Sequence, residues 1–140
     1  MATCSNIGIE YNDGSVKMIY CHWDGYASNN GRILLNHYKN KEKIESLLSL
    51  GDISLLEMDV EPNPKFVHRF DNAQPTVTVA YHRDRGEKLS PALIFESKES
   101  ASKNMQEYLY LFSEKENKWY MKSYDYDFVE LTEQIIRKDK

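Results

Sequence analysis

The sequence has few residues that could cross-link it, with only two cysteines among 140 residues. One pair, Cys4 and Cys21, cannot build a disulfide framework, and cysteines on neighbouring strands need not be bonded. The N-terminus lacks a basic region followed by an apolar core, so we expect no signal peptide. No apolar run approaches the length needed to cross a bilayer. These absences predict a cytoplasmic protein with reduced thiols and no membrane association.

An excess of positive charge is also lacking, since the net charge is −4 and acids and bases are mixed along the chain. Without a basic stripe, direct binding to a nucleic-acid backbone is not expected, and the charge is too small to suggest a DNA mimic. A length of 140 residues fits a single domain, residues 1–140. The ten tyrosines favour a sheet whose faces are partly buried.

What the chain does contain begins with a β-hairpin. Apolar residues alternate from Ile7 to Tyr11 and again from Val16 to Tyr20, which is the period of half-buried strands. The Asp13-Gly14 pair between them favours the positive backbone angles of a tight turn. These features predict two antiparallel strands.

Helices are predicted next. Residues 28–30 are good N-caps for a helix over 32–38, and a second helix over 41–50 is expected to stop at Gly51. Asp52 would cap one further turn through Leu56.

The middle of the sequence predicts a long surface loop that connects the helices to a strand. Residues 57–75 contain three of the four prolines and have no clear period. Thr76–His82 is the most β-prone segment, so we predict a strand there. A short strand over 92–95 and a short helix over 97–105 follow.

The C-terminal third predicts a second hairpin and a final helix. The hairpin joins strands over 108–112 and 119–124. Asp127 and Glu130 have capping-box spacing, and Phe128 would then begin the apolar stripe of a helix. The whole order predicts an α+β fold: a mostly antiparallel sheet built from two hairpins plus central strands, with helices packed on one side.

The richest chemistry lies in Tyr20–Gly31, where a strand gives way to a helix. Strand alternation places Tyr20 and His22 on one face and Cys21 and Trp23 on the other. The adjacent cysteine and histidine are therefore separated, although a nucleophile and its base must be within hydrogen-bond reach. We predict no catalytic residue here.

The same junction has two further interpretations. Gly25 and Gly31 bracket a polar loop that enters a helix, and with Arg32 the free backbone N–H groups could hold a phosphate. Equally, Asp24-Gly25 is an ordinary turn, with Ser28 or Asn30 as a cap and Trp23 in the core.

A second charged segment, His82–Glu87, directly follows the predicted strand. Arg83 and Arg85 could clamp a phosphate or carboxylate, while Asp84 would orient them. The alternative is a solvated turn whose ion pairs are internal and contribute little.

No metal or cofactor is predicted. The four histidines show neither zinc-finger nor zincin spacing, and a site built from His22, Asp24 and a distant histidine has no support in the sequence. The phosphate-binding, nucleophile-elbow and dinucleotide motifs are also missing.

The string IYCHWDGYASNNGRILLNHY resembles a family of small proteins from bacteriophages and other mobile elements. The resemblance continues through LLSLGDIS, HRFD and VTVAYHRDRGE, and so covers about the first ninety residues. This chain has Ala27 where the pattern has proline, and His82 where it has glycine. The resemblance implies an accessory protein made in an infected bacterium, where such proteins often neutralise host defences, as anti-CRISPR proteins do.

We therefore expect a non-enzymatic protein that binds and inhibits a host defence protein. Binding of a nucleotide or other phosphate ligand is the alternative, and a phosphate-directed hydrolase with His22 or His82 as base is the third hypothesis. The predicted binding residues are the following: His22, Trp23, Asp24, Tyr26, Arg32, His82, Arg83, Asp84 and Arg85.

Overall fold

The fold is an eight-stranded mixed sheet with short helices, and the computed structural model describes residues 2–139. The strands, in chain order, are β1 Ser5–Glu10, β2 Val16–Cys21, β3 Ile53–Leu55, β4 Val79–Ala80, β5 Leu93–Phe95, β6 Tyr108–Ser113, β7 Lys118–Ser123 and β8 Tyr126–Glu130. The helices are α1 Arg32–His37, α2 Lys41–Leu48, α3 Tyr81–Arg85, α4 Lys98–Ser102 and α5 Glu133–Lys138. A π-helical segment, Ala27–Gly31, leads directly into α1.

The sheet runs in the order β4-β3-β2-β1-β6-β7-β8, with β5 also paired to β2. Strands β1 and β6 are parallel, as are β2 and β3, and the other neighbours are antiparallel. The predicted α+β class with a mostly antiparallel sheet is thus confirmed, and so are both hairpins. The parallel β1–β6 pairing joins the two hairpins into one sheet, because it places the first strand of each side by side.

Two apolar clusters cover the two faces of the sheet. The larger joins Ile7, Ile9 and Ile19 to residues of α1, α2 and α5. The smaller joins Val16 and Met18 of β2 to Leu109 and Leu111 of β6, and Ala101 of α4 packs there. Helix α4 therefore lies on the face opposite α1, α2 and α5, so the prediction that the helices pack on one side of the sheet is wrong for α4. Strands β1 and β6 are covered on both faces and are buried along nearly their whole length.

Helix α2 follows its sequence signals closely. The Asn40 side chain accepts a hydrogen bond from the Lys43 N–H at 2.8 Å, which caps the first turn. Gly51 follows the helix with φ +74°, and a Cβ there would lie 2.4 Å from the Ser90 carbonyl oxygen. The helix must therefore end where it does.

Three predicted elements are corrected. Residues 53–55 form β3 rather than a helical turn, because the Asp52 carboxylate accepts a hydrogen bond from the Tyr20 N–H and so supports the sheet. The strand predicted over Thr76–His82 shrinks to Val79–Ala80, and Tyr81 already begins α3.

The third correction is at the C-terminus. Residues 126–130 pair with β7 as β8, and the final helix begins later, where the Thr132 hydroxyl accepts from the Ile135 N–H. The Asp127 carboxylate accepts from the neighbouring Phe128 N–H, so its capping-box spacing is coincidental. None of the helices within residues 2–139 combines the length and apolar character required to cross a membrane.

Candidate functional site

The two segments selected from the sequence lie on either side of one short strand. Cys21 at the end of β2 pairs with Ile53, and Ile53 pairs with Ala80 at the end of β4. Asp52 links the residues beside these pairs. Its carboxylate accepts from the Tyr20 N–H at 3.0 Å, and its carbonyl accepts from the Tyr81 N–H at 3.3 Å. Tyr20 and Tyr81 are thereby brought near each other across Asp52.

Part of the Tyr20–Gly31 segment is held in place by hydrogen bonds to the sheet. The Gly25 N–H donates to the Thr3 carbonyl at 2.8 Å, and the Tyr110 hydroxyl donates to the Gly25 carbonyl at 2.6 Å. Asn30 is fully buried, and its amide donates to Ser5 Oγ at 3.2 Å and to Cys21 Sγ at 3.4 Å. These contacts tie the junction to β1, β2 and β6.

Another part of the segment faces outward. Trp23 is 44% exposed and Tyr26 is 38% exposed. Between them Asp24 has φ +57°, a conformation uncommon for a residue with a side chain, and its carbonyl accepts from the Asn30 N–H at 3.3 Å. Such local strain persists only when the surroundings hold it in place, and it often marks functional segments.

The ordinary structural interpretation of this junction is wrong in two details. Trp23 is exposed rather than part of the core, and neither Ser28 nor Asn30 caps α1. The helix needs no side-chain cap because the π-helical segment precedes it. Such segments are rare and frequently occur at functional sites.

Arg32, selected as an anion ligand, is engaged elsewhere. Its guanidinium donates to both carboxylate oxygens of Glu133 in α5, at 2.6 and 3.2 Å, and to the Ser28 carbonyl. The bond to Glu133 also raises the pKa of Arg32 and lowers that of Glu133. Arg32 therefore ties α1 to α5.

Much of the second segment is also used internally. Arg83 donates to the Asp84 carboxylate at 2.8 Å and to the carbonyls of Val60 and Thr78, each at 2.7 Å. Asp84 is nearly fully buried, and it also accepts from the Ala80 N–H. His68 Nε2 lies 3.4 Å from the same carboxylate. Asp84 does orient Arg83, as predicted, but toward the 57–75 loop.

Arg85 remains on the surface, close to two aromatic rings. Its guanidinium lies 4.8 Å from the centre of the Phe70 ring and 5.5 Å from that of Tyr81. Its charge pairs with the exposed Glu87. His82 is exposed, and its Nδ1–H donates to the Glu87 carbonyl. Phe70, in the irregular loop, is 49% exposed, and in the sequence it was marked only as part of the HRFD string.

Together these side chains form what we call the strand-end surface, which comprises His22, Trp23, Tyr26, Phe70, Tyr81 and Arg85. The His22 and Trp23 rings meet edge to face at 4.7 Å between centres. Tyr20 connects His22 toward Tyr81, with 6.0 Å between the His22 and Tyr20 rings. Aromatic side chains thus follow the end of β2 and the end of β4, on the two sides of β3.

Strand alternation places Tyr20 and His22 together, as predicted, since the Tyr20 hydroxyl lies 2.7 Å from His22 Nδ1. Cys21 points to the opposite face, where burial raises the pKa of its thiol to about 11. The sequence analysis missed Cys4, whose Sγ lies 3.2 Å from the Tyr20 hydroxyl and 3.9 Å from His22 Nδ1. The hairpin register contained the signal, because the Ser5–Cys21 pair places residue 4 opposite residue 22.

Carboxyl and phenol groups around the site have raised pKa values. Burial raises the pKa of Asp52 and of Tyr81. Burial, then the charge of Asp24, raises the pKa of Glu57. Across residues 2–139, no group of three or more His, Cys, Asp or Glu side chains is arranged to hold a metal ion.

Well-formed cavities of the described residues lie away from the strand-end surface. One of about 450 Å³ lies between β8 and α5 and is lined by Tyr108, Tyr126 and Ile135. Another of the same volume lies beside α4, near Lys98 and Phe128. The strand-end surface itself is aromatic in character, and its charged groups are partly paired.

No protein-family model, curated protein or solved structure matches this chain. The resemblance of the Tyr20–Gly31 segment to phage and mobile-element proteins therefore stays a prediction. What the strand-end surface can do follows from its own geometry.

Proposed function

We propose that this protein acts by binding a host protein through the strand-end surface and thereby inhibiting it. The observation that carries the proposal is the display of Trp23, Tyr26, Phe70 and Arg85 on one end of the sheet. Trp, Tyr and Arg are the residue types that dominate binding hot spots. Because Trp23 and Phe70 are each more than two-fifths exposed, a partner would bury substantial apolar area on covering them.

The backbone beneath these side chains is held by buried hydrogen bonds, which favours tight association. Tyr110 and Asn30 fix the junction that carries Trp23 and Tyr26. The Arg83–Asp84 pair fixes the helix that carries Arg85. A surface that is already ordered loses less conformational entropy on binding.

Arg85 indicates what the partner should offer. Its guanidinium lies beside the Phe70 and Tyr81 rings, and its Nε pairs with the exposed Glu87 carboxylate. A carboxylate on the partner, beside an apolar pocket for Trp23, would complement this arrangement. A defence nuclease or a signalling component of a bacterial host is the class of partner that the phage-type resemblance supports.

Affinity capture from a bacterial lysate, followed by mass spectrometry, tests the proposal when variants are compared side by side. Trp23→Ala and Arg85→Ala should lose the captured protein. Two matched controls should keep it: Tyr124→Ala removes an aromatic side chain that is 71% exposed elsewhere, and Arg137→Ala removes an arginine that is also ion-paired at the surface.

A thermal-shift screen with linear and cyclic nucleotides distinguishes the alternative ligand. A ligand that binds only the folded state raises the melting temperature. A nucleotide-dependent rise that Trp23→Ala abolishes, together with no captured protein, would replace the proposal by nucleotide binding.

A further inference from the structure

His22 of the strand-end surface forms a hydrogen-bonded cluster with Tyr20 and Cys4. Cys4 lies just before β1 and is partly exposed. Its Sγ is 3.2 Å from the Tyr20 hydroxyl, and that hydroxyl is 2.7 Å from His22 Nδ1. Because Cys4 Sγ also lies 3.9 Å from His22 Nδ1, the thiol, phenol and imidazole form a triangle, in which the two shorter contacts run from nucleophile through relay to base.

The directions of the hydrogen bonds follow from the groups involved. In the neutral tautomer that has its proton on Nε2, His22 Nδ1 accepts, so the Tyr20 hydroxyl donates its proton to it. The phenol oxygen then keeps a lone pair that can accept the Cys4 S–H proton. Burial raises the pKa of Tyr20, so its hydroxyl stays protonated and transmits a proton without itself becoming the base.

We propose that Cys4 is a reactive thiol that exchanges with disulfides, its proton passing through Tyr20 to His22. The Cys4 proton moves to the Tyr20 oxygen while the Tyr20 proton moves to His22 Nδ1. The Cys4 thiolate attacks one sulfur of a disulfide RS–SR, a new S–S bond forms, and the old one breaks. The leaving thiolate takes a proton back from His22 by the reverse path, so Cys4–SH and RSSR give Cys4–S–SR and RSH.

The chain supplies its own reference thiol in Cys21. That cysteine is fully buried on the opposite face of β2, and its S–H donates to the Trp23 carbonyl at 3.6 Å. Thiols buried in this way are inert, whereas partly exposed thiols beside a cationic or basic group are the reactive ones. One fast and one protected thiol are therefore expected in the folded protein.

Other titratable groups near the relay are few. Asp52, at the start of β3, binds the Tyr20 backbone, and Tyr81 of α3 lies on its other side. Cys21 is behind the sheet, and Trp23 covers one edge of the His22 ring. His22 is thus the group positioned to accept the proton from Tyr20.

An aromatic disulfide that releases a coloured thiolate measures the exchange directly in the folded, full-length protein. The wild type should release one equivalent rapidly and a second only after denaturation. Cys4→Ser should lose the fast phase, and Cys21→Ser should keep it.

Tyr20→Phe and His22→Asn test the relay. At pH 7 each should slow the fast phase by about tenfold or more, below the ~100-fold that a fully enclosed general base contributes. At pH 10 the rates should converge with that of the wild type, because thiols then ionise without help. A merely structural role for either residue would not produce this convergence, and melting temperatures verify that each variant is folded.

Two results would overturn the inference: a fast phase that survives Cys4→Ser, or Tyr20→Phe and His22→Asn variants that react as fast as the wild type at pH 7. Loss of partner binding leaves both of these readouts unchanged, so this inference and the proposed function fail independently.

Discussion

Asp84 is a buried charged residue with several partners inside the fold. Its carboxylate accepts from Arg83 and from the Ala80 N–H, and it lies beside the buried His68 ring. The side chain is 2% exposed. Removing Asp84 leaves the Ala80 N–H without its acceptor and Arg83, whose side chain is 24% exposed, without its counter-charge.

Asp84→Ala should therefore lower the free energy of unfolding by about 3 kcal/mol, the low end for a broken buried pair, since Arg83 keeps its two carbonyl partners. Chemical denaturation measures the change. Asp71→Ala is the matched control, because the Asp71–Arg69 pair is exposed to solvent. This substitution should lower the free energy of unfolding by less than about 1 kcal/mol. Equal effects of the two variants would refute the assignment.

Asp52 should make stability depend on pH in the direction opposite to most carboxylates. Burial raises its pKa in the folded state, so the ionised form is penalised there. That penalty is absent below the unfolded-state pKa and complete above the folded-state pKa. Asp52→Asn, whose amide oxygen can still accept from the Tyr20 N–H, should therefore be more stable than wild type at pH 7 and equal to it near pH 3.

Melting curves at the two pH values measure that difference. A variant that melts below the wild type at pH 7 would show that the carboxylate contributes more to the Tyr20 hydrogen bond than its burial costs.

At the residue scale, the sequence reveals the kind of side chain but not where it points. Trp23 and Arg85 do face solvent, and their residue types suggested it. Arg32 and Arg83 were selected for the same charge, yet their partners are Glu133 and the carbonyls of Val60 and Thr78. Those partners are distant in the sequence or belong to the backbone, so no local pattern could indicate them.

At the scale of elements, the irregular 57–75 loop depends on one histidine. His68 Nδ1 accepts from the Gln74 N–H and Nε2 donates to the Thr78 carbonyl, each at 3.0 Å. The side chain is 3% exposed. The buried His68 side chain therefore supports the loop from inside, although other side chains of the loop, such as Phe66 and Val67, are largely exposed.

His68→Ala should loosen this loop without unfolding the sheet. Amide hydrogen exchange should accelerate over 57–75, starting at Gln74, while β1 and β6 stay protected. His82→Ala is the control, since His82 is exposed and bonds only to the Glu87 carbonyl. Unchanged exchange at Gln74 in His68→Ala would show that other contacts hold the loop.

Elements with strong local signals were predictable. The hairpins and α2 have turn residues, alternation or caps that agree with their tertiary setting. The segment at 126–130 was mistaken for helix because Asp127 and Glu130 imitate a capping box, while pairing to β7 decides its structure. The strand predicted through His82 overlaps the start of α3, because β propensity is a weak preference. The Asp84 carboxylate accepts from the Ala80 N–H and so favours a helix that begins at Tyr81.

At the scale of the whole molecule, the two hairpins and β3–β4 make one sheet whose ends differ in character. The end that contains Trp23 and Arg85 displays aromatic rings over a hydrogen-bonded base. The β7–β8 turn also displays an exposed ring, that of Tyr124. Among the described residues, no charged or aromatic side chain stacks on this ring. The first end is therefore the better candidate for recognition, and the two ends provide a matched comparison.

The most direct test is the affinity of the captured host protein for wild type and for Trp23→Ala, measured by calorimetry with Tyr124→Ala alongside. The strand-end surface predicts a loss of about 2 kcal/mol, roughly 30-fold in Kd, for Trp23→Ala and no measurable change for Tyr124→Ala. Equal affinity of wild type and a folded Trp23→Ala protein would contradict the account.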